Sequence, residues 1–344
     1  QGEPEMPEPE PEPEQQQQPF CFADVKLCGF DLDGTLCRGD NTVSARTKAA
    51  VAAVRAEGVQ IVLATGRTAG MAASIPQLVD GAVDFVVTSN GAETMTSRGG
   101  WTRKVSYVIP PADLRAAVLA LREGISEDVD LLLMMAGLEG AAGAICMAKA
   151  GHAKMHLDYG AEGANRFTVL PHGAKRFFSP PSGPREGEAL VVERDVLEWE
   201  GAAQYQADGA GVLSLMVDAD LETVKPILDG LQLDAPLVAV DSGWNPGGPT
   251  EVKLVQGCEK PNALQVLCDD LGIGPAETMA FGDGPNDRSM LEWAGCGVAM
   301  GNAVPEVKAA ADVVTATNED DGVAEQLERL LAAKLELRQQ QQAL

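Results

Sequence analysis

Short apolar runs of strand length alternate with stretches of helical spacing through most of this chain. Val25-Lys26-Leu27-Cys28-Gly29-Phe30 is such a run, and its near-continuous apolar character predicts a strand buried on both faces, as in a parallel sheet. Residues 44–57 are alanine-rich with helical spacing, with Ser44 placed to cap the N-terminus and Gly58 to stop the helix. A second buried strand is expected over 59–64, a helix over 69–78, and a third strand over 85–88. Strand–helix–strand units of this length imply right-handed crossovers and a parallel sheet.

Between residues 94 and 245 the pattern changes. It predicts strands at 105–109, 129–135, 144–149, 211–217 and 237–241, helices at 111–122 and 221–231, and a long loop over 171–190. This is the pattern of an inserted α+β domain, and the Gly- and Pro-rich residues 242–250 read as the return hinge. The first pattern then resumes, with helices at 261–271 and 286–293, strands at 278–281, 297–300 and 312–315, and a closing helix at 322–335. The expected layout is an α/β core built from 21–93 and 246–335, with an insert over 94–245. Tails at 1–20 and 336–344 flank it.

Composition sharpens this in four ways. Residues 1–19 alternate Pro and Glu and then run through four glutamines at 15–18, which cannot bury apolar surface and should be disordered. The net charge of −25 argues against a nucleic-acid or anionic-membrane surface, but not against an anionic substrate held by a locally positive site. Apolar runs stay far short of the ~20 residues of a membrane span. Seven cysteines, an odd number with no Cys-x-x-Cys pair, fit reduced thiols in a cytosol-like compartment. The expected location is therefore cytoplasmic, with organellar import open if an upstream targeting segment is missing. Cys28 and Cys37 flank the first acidic motif and read as small core fillers.

That motif is Asp31-Leu32-Asp33-Gly34-Thr35, at the end of the first strand. In open α/β sheets chemistry lies beyond the carboxyl ends of strands. One carboxylate there can attack an electrophile while its neighbour handles the proton. Two like charges so close require a proton or a cation between them. Three further loops would converge on the same sheet edge: Thr65-Gly66-Arg67, Lys260 at the start of a helix, and Gly282-Asp283-Gly284-Pro285-Asn286-Asp287. The Thr65 hydroxyl and the N–H groups opening a helix suit a phosphate oxygen. Three or four carboxylates without a His or Cys cluster point to Mg²⁺ rather than zinc.

These four motifs together resemble the haloacid dehalogenase (HAD) superfamily of phosphohydrolases. Ser89-Asn90-Gly91-Ala92, Met300-Gly301-Asn302-Ala303 and the stretch 311–324 are similar to its Cof-type members (subclass IIB), which carry a large α+β cap in the place of the insert seen here. The resemblance implies a Rossmann-like, doubly wound core with a cap, and assigns roles by position. Asp31 would be the nucleophile that forms an aspartyl-phosphate, and Asp33 the acid and base. Thr65, Gly66, Lys260 and Asn286 would bind the transferring phosphoryl group. Asp31, the Asp33 carbonyl and Asp283 would hold Mg²⁺ with support from Asp287, and Asn286 and Asn302 would orient the loop or phosphate.

The expected function is thus Mg²⁺-dependent hydrolysis of a small phosphorylated metabolite, a sugar phosphate or related phosphomonoester. A sugar phosphomutase and a catalytically retired interaction protein are the alternatives. Neither nucleic acid nor membrane is expected as a partner. Arg98, Arg103, His152, Lys154 and His156 are candidate substrate contacts on the insert, each more often a solvated or structural residue.

Overall fold

The computed structural model describes residues 20–67, 81–97, 102–126, 129, 131–135, 145–149, 152–156, 193–194, 212–241, 249–257 and 259–343. Two sheets organise them.

The first sheet is the one the apolar runs foretell. It holds β1 (Leu27–Phe30), β2 (Gln60–Ala64), β3 (Phe85–Thr88), β4 (Glu93–Thr96) and β5 (Thr102–Ser106). The second sheet contains β6 (Leu131–Met135), β7 (Ile145–Lys149), β8 (His152–His156), β9 (Glu193–Arg194), β10 (Val212–Val217), β11 (Leu237–Asp241) and β12 (Thr250–Leu254). The chain then returns to the first sheet with β13 (Thr278–Gly282), β14 (Cys296–Ala299) and β15 (Val313–Val314).

The first sheet runs β15-β14-β13-β1-β2-β3-β4-β5. From β15 to β3 every pair is parallel, and β3-β4-β5 is an antiparallel extension. β1 is therefore central, flanked by β13 and β2, and its end carries Asp31 into the middle of the sheet edge. Side chains alternate between the two faces, as a strand demands. Cys28, Phe30, Ile61, Leu63 and Phe281 pack on one face against α1 (Ala45–Ala56) and α7 (Gly322–Gln342). Leu27, Val62, Ala64 and Ala280 pack on the other against α4 (Lys260–Leu271), α5 (Arg288–Trp293) and α6 (Pro305–Ala310). Phe30 and Phe281 stack across β1 and β13 with ring centroids 4.9 Å apart. Ser44 caps α1 as expected, accepting from the Thr47 N–H at 3.0 Å.

The second sheet, β11-β12-β10-β6-β7-β8-β9, is antiparallel throughout. α2 (Pro111–Gly124) and α3 (Leu221–Asp229) cover one face, packing Ala117, Val118, Leu121, Val224 and Leu228 against Leu131, Val212, Leu215, Val217 and Val252. The chain leaves the first sheet after Ser106 and returns after Leu254. The two crossing segments touch, and a Cβ on Gly257 would lie 2.9 Å from Tyr107 and 3.0 Å from the Ala92 backbone.

Several expectations shift. The strand expected at 105–109 ends at Ser106. β5 begins three residues earlier than expected, and β4, β8, β9 and β12 were not foreseen, with β12 beginning inside the expected hinge. The closing helix runs on to Gln342, through residues expected to form a tail. Gln, Glu, Lys, Arg and Leu are good helix formers, and an exposed helix needs no apolar stripe over its last turns. Arg338 also pairs with Glu57 beyond the end of α1. The expected 69–78 helix, the 171–190 loop and most of the 1–20 tail lie outside the described residues. Cys28 and Cys37 are buried, and burial pushes both thiols up, that of Cys37 to about 11, so they act as fillers.

Candidate active site

The four loops named from sequence meet at the carboxyl edge of the first sheet. Asp31 follows β1 directly and is buried, its backbone N–H bonded to the Phe281 carbonyl at 2.9 Å. Lys260 opens α4 and is fully buried. Its Nζ donates at 2.6 Å to Asp31 Oδ1 and at 2.6 Å to Asp287 Oδ1. The second Asp287 oxygen accepts from the N–H groups of Asp283 (3.0 Å) and Gly284 (2.9 Å). Asp287 thus closes the loop on itself and holds Lys260 in place. Asp283 Oδ1 accepts from the Thr35 hydroxyl at 2.7 Å.

Gly34 brings the first loop onto the fourth. Its φ is +81°, and a Cβ there would collide with the Asp283 carboxylate. Only glycine meets both demands. Asn302 ties the two loops from the side, donating to the Gly34 carbonyl at 2.8 Å.

The electrostatics follow from burial. Asp31, Asp283 and Asp287 each offer a carboxylate oxygen, all within 4.8 Å of one another. One ammonium, Lys260, stands against three carboxylates. Burial, then the charge of Asp287, pushes the Asp31 carboxyl up to about 8 against the pull of Lys260. Burial is also the main cause that lifts Asp283 to about 6. Burial alone would depress the Lys260 ammonium, but Asp287 and Asp31 outweigh it and hold the group above the ordinary lysine range. The cluster wants positive charge, and an all-oxygen carboxylate set without His or Cys fits a hard divalent cation such as Mg²⁺.

Asp33 stands apart from this cluster. Its side chain is 53% exposed and is held by Arg67, whose Nε donates to Oδ2 at 2.8 Å while Nη2 bonds Oδ1. Arg67 Nη2 also donates to Asn41 Oδ1 at 3.1 Å. Asp33 therefore sits at the mouth of the site, with Asp31 at its floor. Thr65 is buried at the end of β2, and its Oγ1 accepts the Arg67 N–H at 3.1 Å. Gly66 packs under Asn90, where a Cβ would lie 3.2 Å from Asn90 Oδ1. Asn286 donates to that same oxygen at 3.0 Å. All the core residues named from sequence converge here. Arg98 lies outside the described residues, as do the side chains of Arg103, His152, Lys154 and His156.

Sequence reasoning gave no role to Thr35, Asn41, Asn90, Glu251 or Lys253. Ser89-Asn90-Gly91 carried a signal. All three residues have positive φ, at 48°, 52° and 113°. Asn-Gly favours such backbone, and strain of roughly 1–3 kcal/mol for each non-glycine residue concentrates at functional sites.

A family model described as haloacid dehalogenase-like hydrolase matches residues 29–124 and 214–327. The putative phosphatase YxeH of Bacillus subtilis is 52% identical over 75 residues, which are 22% of this chain and 28% of that protein, so the chain spans under a third of that relative's length. The phosphatase YwpJ of Bacillus subtilis is 28% identical over 333 residues, 89% of this chain and 100% of that protein. Among solved structures, the HAD subclass IIB sugar phosphatase BT4131 has 25% identity and a TM-score of 0.61, covering 89% of this chain and 98% of that one.

Proposed function

Because this chain belongs to the haloacid dehalogenase-like hydrolases, we propose that it is a Mg²⁺-dependent phosphatase that hydrolyses a small phosphorylated metabolite. Its substrate is a sugar phosphate or related phosphomonoester, the class on which the structural relative BT4131 acts as a sugar phosphatase. The observation that carries the reading is the double contact of Lys260 with Asp31 and Asp287 beside Asp283. It fixes a buried carboxylate at a strand end, next to a cationic donor and a place for a divalent cation.

Asp31, Asp283 and the Asp33 carbonyl would hold Mg²⁺, with Asp287 anchoring the loop around them. Bound there, the ion supplies positive charge to the transferring phosphoryl oxygens. Asp31 attacks phosphorus and forms an aspartyl-phosphate, and Asp33 gives its proton to the departing oxygen. A water then attacks the phosphorus, passes a proton to Asp33 and releases Asp31. Lys260 neutralises charge on the phosphoryl group, while the Thr65 hydroxyl, the Gly66 backbone and Asn286 position it. Such transfer depends on positioning and charge neutralisation more than on covalent work by the protein. The insert, taken as residues 94–245, acts as a cap that excludes water and contacts the leaving group.

Phosphate release from an aryl phosphate and a sugar-phosphate panel, with and without Mg²⁺, tests this for the wild type and Asp31→Asn. Mg²⁺-dependent release that the variant loses supports the reading. Sugar-phosphate interconversion without free phosphate would make the protein a mutase. Silence across the panel would favour a binding protein.

A further inference from the structure

Asn90 stands between three elements: the loop of Asp283 and Asp287, β12 of the second sheet, and the end of β2. Its Oδ1 accepts from Asn286 Nδ2 at 3.0 Å, in the loop of Asp283 and Asp287. Its Nδ2 donates to Glu251 Oε2 at 3.3 Å, on β12 of the second sheet. Its backbone N–H donates to the Thr65 carbonyl at 3.0 Å. Glu251 and Lys253 are buried, at 4% and 1% exposure, and Lys253 Nζ donates to the same Glu251 oxygen at 2.9 Å. The β12 pattern explains the placement. Val252 and Leu254 turn to the helix-covered face, so Glu251 and Lys253 turn to the other.

We infer that Asn90 is a positioning residue for Asn286, and that the buried Glu251–Lys253 pair sets the direction of its amide. The inference rests on the reading in which Asn286 meets the phosphoryl group. A carboxylate only accepts hydrogen bonds, so Glu251 obliges Asn90 to present its nitrogen to β12 and its oxygen to Asn286. Asn286 must then present its own nitrogen to Asn90. That nitrogen carries two hydrogens, one of which remains for another acceptor. The sense matters for an anionic substrate: an Asn286 amide turned the other way would offer phosphate an oxygen.

Lys253 makes the arrangement tenable, since Glu251 without it would be a buried uncompensated charge. The backbone supports it too. Asn90 sits in left-handed space at φ 52°, which asparagine tolerates. A Cβ on the next residue, Gly91, would collide with the Glu259 carbonyl just before Lys260. The turn is thus pressed against the start of α4, and the Asn90 carboxamide has little freedom to move away.

The test uses the full chain and two readouts: the Kd for inorganic phosphate with Mg²⁺ by calorimetry, and aryl-phosphate turnover. Asn90→Gly keeps the positive φ without strain and removes both side-chain bonds. It should weaken phosphate binding about tenfold, the size of one lost hydrogen bond to a charged group or its holder. Asn286→Ala should do the same, and the double variant should be no worse than Asn286→Ala alone. A buttress with no hold on Asn286 would give multiplied losses, which would overturn the inference, as would a Kd for Asn90→Gly within about twofold of wild type. Glu251→Gln with Lys253→Met is the second variant. It removes both charges together and frees the amide direction, so phosphate binding should weaken with the melting temperature held. An unchanged Kd there also counts against the inference. Wild-type protein that binds phosphate but releases none from any ester would fail the phosphatase reading and leave this comparison standing. Wild-type protein that binds no phosphate would overturn both.

Discussion

Lys260 Nζ donates to Asp31 Oδ1 at 2.6 Å although the two residues stand 229 positions apart in the chain. The contact joins the first core segment to the second at the point where the chemistry is proposed. It also makes one cation responsible for two buried carboxylates.

Replacing Lys260 with Met should therefore be costly. Asp31 and Asp287 would both lose their partner inside the protein, and a broken buried ion pair costs about 3–5 kcal/mol. Urea unfolding should show that loss, with turnover abolished. A variant as stable as wild type would mean the pair is not buried as described.

Asp31→Asn should behave in the opposite sense. Removing one of three crowded negative charges relieves repulsion, and Asp287 still neutralises Lys260. Turnover should vanish while the metal-free melting temperature holds or rises. A fall of many degrees would speak against a crowded acidic site.

Stability without metal should decline as pH rises. The folded Asp31 carboxyl is lifted from its ordinary 3.8 to about 8, so its contribution is full below the ordinary value and is lost on passing through the folded one. Asp283, lifted to about 6, acts in the same direction. Thermal melts in chelator from pH 4 to 9 should show a falling midpoint. The gain on adding Mg²⁺ should grow over the same range. A Mg²⁺ gain independent of pH would disconnect the cation from these carboxylates.

Gly34→Ala should damage cation binding more than the fold. The left-handed backbone costs an alanine about 1–2 kcal/mol, and the new Cβ meets the Asp283 carboxylate. Disturbing the support of a ligand weakens metal affinity about 10–100-fold. A Mg²⁺ titration of Gly34→Ala followed by thermal shift would show it.

Among the described residues, truncation after Leu335 removes exposed helical turns with their C-terminal cap and the Arg338–Glu57 pair. The melting temperature should stay within a few degrees, since exposed ion pairs contribute about 0–1 kcal/mol.

The strands around Asp31 were legible because burial on both faces leaves near-continuous apolar runs, as in residues 61–64 and 85–87. The full burial of β12 was not, because Thr250-Glu251-Val252-Lys253-Leu254 alternates like a half-exposed strand. Its charges are buried and paired with each other, which no local pattern announces. β5, Thr102-Arg103-Lys104-Val105-Ser106, was expected too far along the chain, because an edge strand with a polar first half gives the pattern little to register there. At the site, residue types and spacing pointed to the acidic cluster. The pairing of Arg67 with Asp33 and the bridge through Asn90 depend on which loops face one another, and that is set by the sheet order.

The central place of β1 has a consequence for how the molecule comes into being. β1 can pair with β2 early in synthesis, but its other neighbour, β13, emerges only after the whole insert. At roughly 5–20 residues per second, the stretch between Asp31 and Lys260 occupies the ribosome for on the order of 10–45 s. Throughout that interval the nascent chain carries an unfinished sheet edge and an acidic loop with no lysine to meet it. The second sheet, complete once β12 emerges, is in a position to fold before the older half of the core can close.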